Sequence, residues 1–189
     1  MKINLSKILR EKYLTEIISI IVIMVVMLAL VGAQKWAQKI RNREAEFDKM
    51  GTVRIINMGS SKYMSTARDL ANGSPISQFS KDETHNQVWQ IERQGDGWRI
   101  KVVNASSCLE IGDGAQSNGA KAQLWDCTDV PQQTWKIERL EKGAYEIRLL
   151  SNDKCLEIIN SSNDDGVSAQ QWSCVGAIGQ RWQIYSALY

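Results

Sequence analysis

The chain has 189 residues, a formal net charge of +2 and 43% hydrophobic residues, room for one ordinary domain and an extension. Charge is segregated: residues 1–51 hold nine Lys/Arg against five Asp/Glu, and residues 52–189 hold fourteen against sixteen. The C-terminal part is thus slightly acidic, which argues against nucleic acid as a partner, because neutralising phosphates takes a cluster of cations.

Residues 1–16 interleave Ile3, Leu5, Ile8, Leu9 and Leu14 with Lys2, Lys7, Arg10 and Lys12. This basic, loosely amphipathic segment either lies on the cytoplasmic membrane surface or extends the next helix. From Ile17 to Ala33 there is no charge, and residues 17–34 are the expected transmembrane helix. Seventeen residues at about 1.5 Å each cover most of a ~30 Å hydrocarbon core, and snorkelling of Lys12 and Lys35 supplies the rest. Trp36 follows where an interfacial aromatic belongs. A buried helix of a soluble protein would carry a polar stripe, which this segment lacks.

A cleavable signal peptide is the rival, since Val31-Gly32-Ala33 has small residues suited to cleavage. The apolar run and the region before it are long for one, so a retained signal-anchor is expected. Four Lys/Arg precede the span and four follow closely, so charge does not orient it. Residues 35–51 are helix formers of mixed charge and predict a helical stalk ended by Gly51. An apolar segment, a charged helix and a β head also resemble pilin-like subunits, but no Gly stands just before the apolar run.

Residues 52–189 contain three copies of Gln-x-Trp-x-Ile, beginning at Gln87, Gln133 and Gln180. Their tryptophans, Trp89, Trp135 and Trp182, are 46 and 47 residues apart, and ten residues before each stands Phe79, Trp125 or Trp172. Thr52–Asn57, 97–104 and 144–150 are short alternating runs that read as strands. Units of this size bury a core only when packed together, with the three Trp and their following Ile pointing inward. The three Trp are therefore assigned to structure.

The four cysteines are at 108, 127, 155 and 174, two pairs with equal separations of 19 residues. Equal spacing favours two local disulfides, Cys108–Cys127 and Cys155–Cys174, and an oxidising compartment. Zinc is the competing reading, but there is no closely spaced ligand pair, and His85 is the sole histidine. With disulfides the N-terminus is cytoplasmic and the C-terminal domain extracytoplasmic.

Three Gln-x-Trp units at near-constant period, two of them with Cys-Leu-Glu-Ile, resemble the ricin-B-like lectins over residues 52–189. The resemblance implies an all-β fold, a β-trefoil of about twelve strands in three pseudo-repeats, with shallow glycan sites, at most one per repeat. It carries over an acid after the Cys, an aromatic platform, and polar groups before the core Trp. In the second repeat these are Glu110, Gln123, Trp125, Gln132 and Gln133; in the third they are Glu157, Gln170, Trp172 and Gln180. The first repeat offers only Phe79, Asn86 and Gln87, with Ser65 at the acid position, so its site is expected to be inactive. Glu stands at 110 and 157 where the family usually has Asp, and Gly179 replaces the amide found at Gln132. The second repeat is therefore the better site.

The resulting expectation is a membrane-anchored, non-catalytic carbohydrate-binding module, with glycans or polysaccharide and the lipid bilayer as partners, and no cofactor or metal. One histidine and no Gly-rich phosphate loop leave enzyme chemistry without a home. The alternative is an accessory subunit of a membrane complex or surface filament, using the trefoil as a scaffold among other membrane subunits.

Overall fold

In the computed structural model, the charge-free stretch and the helix formers beside it make one helix, α1, Leu5–Met50. The structure describes all residues except 1–4, 67, 68, 83, 84, 104 and 189, and all side chains except also those of 5–12, 40, 43, 44, 48 and 85. The amphipathic pattern expected over residues 2–12 lies outside the described side chains. The chain divides into two compact units, Met1–Ala45 and Glu46–Tyr189.

In the first unit, Tyr13–Lys39 is the one segment among the described residues that is long and apolar enough to cross a membrane, and none of it is buried. At 27 residues it is about 40 Å long, and its charge-free part is bounded by Glu16 and Lys35.

The second unit begins in the last turn of α1. Gly51 stops the helix with φ +65°, and its N–H reaches the Phe47 carbonyl at 3.1 Å. This left-handed cap suits glycine because it has no Cβ. Twelve strands follow: β1 Thr52–Asn57, β2 Tyr63–Ser65, β3 Ser77–Phe79, β4 Trp89–Gln94, β5 Gly97–Val102 and β6 Ser107–Ile111. Then come β7 Ala122–Asp126, β8 Trp135–Arg139, β9 Tyr145–Leu149, β10 Cys155–Ile158, β11 Ala169–Trp172 and β12 Trp182–Ser186.

Pairings β1–β4, β4–β5, β5–β8, β8–β9, β9–β12 and β12–β1 close a six-stranded antiparallel barrel, which leaves no free edge around the ring. Hairpins β2–β3, β6–β7 and β10–β11 branch from it, one per repeat. This is the expected β-trefoil.

The motif tryptophans are fully buried, and their indole N–H groups donate to the carbonyls of Met64, Leu109 and Leu156, each at 3.0 Å. Burial thus leaves no ring donor unsatisfied, and the same contact recurs in every repeat. Phe47 belongs to the core: it is 2% exposed and meets Trp98 edge-on, with ring centroids 4.9 Å apart. Glu46 accepts a hydrogen bond from the Tyr145 hydroxyl at 2.7 Å.

The cysteines pair as Cys108–Cys127 and Cys155–Cys174, both with Cα atoms 5.1 Å apart, so the zinc alternative falls. In the first repeat Tyr63 takes the position of Cys108 and Cys155. Its ring lies 5.6 Å from the Arg54 guanidinium, and its hydroxyl is 2.9 Å from that of Tyr185.

Candidate functional site

Strands β6 and β7 pair Cys108 with Trp125 and Glu110 with Gln123, so one hairpin supplies the acid, an amide and the aromatic. Glu110 is buried. One carboxylate oxygen accepts from Gln123 Nε2 at 2.9 Å and the other from Gln133 Nε2 at 2.8 Å. Gln133 is itself fully buried: its oxygen accepts from the Thr128 N–H at 2.8 Å, and its amide also donates to the Asp126 carbonyl at 2.9 Å. Gln133 therefore holds the Glu110 carboxylate from the buried side. A carboxylate accepts about four hydrogen bonds, so Glu110 keeps roughly one free direction per oxygen.

Above this clamp lies a cavity of about 270 Å³ lined by Glu110, Asp113, Gln123, Trp125, Thr128, Val130 and Gln132. Four of the five residues expected in this repeat line it. Asp113, Thr128 and Val130 were not expected. Asp113 sits at φ +54° in a tight turn, which brings an exposed carboxylate to the cavity. Its signal was present as Asp113-Gly114, but that dipeptide reads only as a turn. The Trp125 indole is 42% exposed, so one part of a large aromatic surface is left for a partner. A Cβ at Gly73 would lie 4.0 Å from its ring, and Gly73 has φ +86°, so a turn of the first repeat backs the indole.

The third repeat reproduces this geometry at an offset of 47 residues. Glu157 accepts from Gln170 and Gln180, each at 2.8 Å. The Gln180 oxygen accepts from the Val175 N–H at 2.9 Å, and its amide donates to the Ser173 carbonyl at 2.9 Å. Gln180 is fully buried and, like Gln133, plays a positioning part. Trp172 is 39% exposed and is backed by Gly119, whose Cβ would lie 3.8 Å from the ring.

The rim differs. Asn160 stands in place of Asp113, Val175 of Thr128, Ala177 of Val130 and Gly179 of Gln132. The Gly179 N–H donates to Ser161 Oγ at 3.2 Å, and a Cβ there would lie 2.6 Å from that oxygen. Ser161 therefore fills the space that a side chain at 179 would need, where the second repeat has Gln132.

In the first repeat Ser65 faces Ser77 where the others have the Glu–Gln pair, so there is no carboxylate acceptor. Gln87 is buried, accepts from the Asp82 N–H at 2.9 Å and Arg54 Nη1 at 3.3 Å, and donates to the Ser80 carbonyl at 2.9 Å. Phe79 holds the aromatic position, opposite Tyr63.

A family model described as the ricin-type beta-trefoil lectin domain matches residues 51–182. Among solved structures, the designed threefold-symmetric protein ThreeFoil superposes with a TM-score of 0.69 at 23% identity, covering 71% of this chain and 98% of that one. The exo-beta-1,3-galactanase 1,3Gal43A from Clostridium thermocellum gives 0.70 at 23% identity over 72% of this chain, which spans only 30% of that enzyme. The Macrolepiota procera ricin B-like lectin, solved in complex with lactose, gives 0.63 at 20% identity over 71% of this chain and 94% of the lectin. At these identities the structural likeness speaks for the fold, whereas the family match covers well over half of the sequence. With the three Gln-x-Trp units, the closed barrel and the acid–amide–aromatic hairpins already in place, this chain belongs to the ricin-type β-trefoil lectin domain family.

Proposed function

We propose that the protein is a non-catalytic carbohydrate-binding module, anchored by its N-terminal helix with the trefoil on the extracytoplasmic side, and that the second repeat is its principal glycan site. The observation that carries this reading is the half-exposed Trp125 indole beside the cavity floored by the clamped Glu110. A pyranose presents an apolar C–H face, which suits stacking on the indole, and a rim of hydroxyls, which suits donation to Glu110 and Asp113. Gln123 and Gln132 supply further polar contacts. In the third repeat Glu157, Gln170 and Trp172 would play the same parts over the buried Gln180. Single shallow sites bind weakly, so clustering on a membrane would supply avidity for glycans or polysaccharide.

The membrane-anchor reading is supported by the Tyr13–Lys39 segment, which is long and apolar enough to cross a membrane, and the extracytoplasmic assignment by the two disulfides. The non-catalytic part of the reading rests on the family match, which is to a lectin domain. A scaffold role within a membrane complex is the second reading. It is favoured by the fact that every oxygen of Glu110 and Glu157 already accepts from an internal amide.

The deciding experiment is a glycan array and titration with the full chain in a sugar-free detergent. Binding should appear in the micromolar to millimolar range and fall about tenfold or more in Trp125→Ala, equivalent to at least ~1.4 kcal/mol. No binding at millimolar glycan by the wild-type chain would leave the scaffold reading in place.

A further inference from the structure

One position on the barrel differs among the three repeats. Lys101 on β5 stands opposite Cys108, and Arg148 on β9 stands opposite Cys155, so the two cations occupy matching places in the second and third repeats. Ile56 on β1, opposite Tyr63, holds the place in the first. Arg148 is satisfied within the chain: Glu146 meets it from its own strand, and Asp153 lies 2.8 Å from its Nη1. The second repeat lacks both acids. At the same offset of 47 residues Arg99 replaces Glu146 and Ser106 replaces Asp153. Arg99 directs its guanidinium to Asp129, at 2.7 Å. Lys101 is half-buried, and among the described residues no carboxylate pairs with its ammonium. A cation partly withdrawn from water and left without a partner is at a disadvantage that a bound anion would relieve.

Lys101 lines a cavity of about 410 Å³ whose other polar side chains are Thr52, Gln90 and Ser106. Thr52, Gln90 and Lys101 are consecutive partners across β1, β4 and β5, so sheet register sets them side by side. Ser106 joins them from the loop before β6. All four can donate hydrogen bonds and none is an acid. The cavity shares no residue with the one beside Trp125. We propose that it is an anion site for a phosphate group, with Lys101 as the cation and Thr52, Gln90 and Ser106 as neutral donors. Lysine meets phosphate as a point charge, and hydroxyls and an amide suit the remaining oxygens. In the third repeat an internal acid, Asp153, stands where the anion binds in the second. The phosphate comes either from solution or from a lipid headgroup, and its chemistry at Lys101 is the same.

Phosphorus NMR titration of the full chain in polyoxyethylene micelles, without phosphate buffer, tests this with inorganic phosphate and with dihexanoyl phosphatidic acid as probes. The wild-type chain should bind at least one of them saturably at millimolar concentration, and Lys101→Gln should weaken that binding about tenfold or more. Ser106→Asp, at an exposed position, gives Lys101 the acid that Asp153 gives Arg148 and should weaken binding as much. Unchanged tryptophan fluorescence should show both variants folded; if Lys101→Gln is not, Ser106→Asp decides alone. Phosphatidic acid bound more tightly than phosphate assigns the site to a lipid headgroup, and any other order assigns it to the free anion. No saturable binding of either probe by the wild-type chain, or binding that a folded variant leaves unchanged, would overturn the proposal.

Discussion

Glu110 is committed before any ligand arrives, because each of its oxygens already accepts from a glutamine amide in a buried setting. Replacing it by Gln puts an NH₂ group against Gln123 or Gln133, so two donors face each other away from water. Such an unsatisfied buried group costs about 1–3 kcal/mol, and each kcal/mol lowers Tm by about 2–4 °C in a chain of this size. Glu110→Gln should therefore melt several degrees early and bind no glycan at the second repeat; unchanged melting would show that the clamp contributes nothing. The acids, the aromatic platforms and the amides Gln123 and Gln132 came from the family resemblance, which the motif spacing made visible. The inward turn of Gln133 and Gln180 was not legible there, because a motif lists residue types without saying which face each side chain takes. Asp113 was missed for a related reason: only the folded turn brings its carboxylate to the cavity.

Strands and hairpins follow local rules, and β1 runs over the same residues as the alternating pattern that announced it. Gly51 likewise stops α1 where the sequence placed the stop. The last turn of α1 was harder to see. Residues 35–51 are so charged that they read as a solvated stalk, and one Phe among them makes no apolar stripe. Yet Phe47 is buried among Trp98 and Tyr145, with ring centroids 4.9 and 6.4 Å away, inside the compact unit that starts at Glu46. Truncating such a ring removes its transfer free energy and leaves a cavity, which together cost about 3–5 kcal/mol. Urea unfolding of full-length Phe47→Ala, followed by tryptophan fluorescence, should show a loss of that size. A change below about 1 kcal/mol would mean that the core does not depend on Phe47.

At the scale of the molecule the three repeats are equivalent in core and unequal in bracing. The first has Tyr63 and Arg54 where the others have disulfides, and it joins the third through Asp165, which meets Lys62 at 2.7 Å and the Ser80 N–H at 2.7 Å. The Lys62 hydrogen bond, with help from Ser80, holds the Asp165 carboxyl below its ordinary range. Two of the repeats thus carry covalent closure of nineteen-residue loops. On the chain-entropy account, each loop of that length adds about 3 kcal/mol, which is large beside a total of about 5–15 kcal/mol for an ordinary domain. A trefoil left in a reducing compartment would lose much of its margin, so the covalent braces and the direction of membrane insertion are one question. Intact membranes treated with a bulky maleimide should show no labelled cysteine unless reductant and denaturant are added, after which all four should react. A protease added outside should digest the C-terminal domain only once it is reduced and unfolded, and should never reach a tag at residue 1 in sealed cells. Four thiols labelled without reductant would show that the disulfides do not form, and an outside protease that removes the residue-1 tag but spares the reduced C-terminal domain in sealed cells would reverse the orientation.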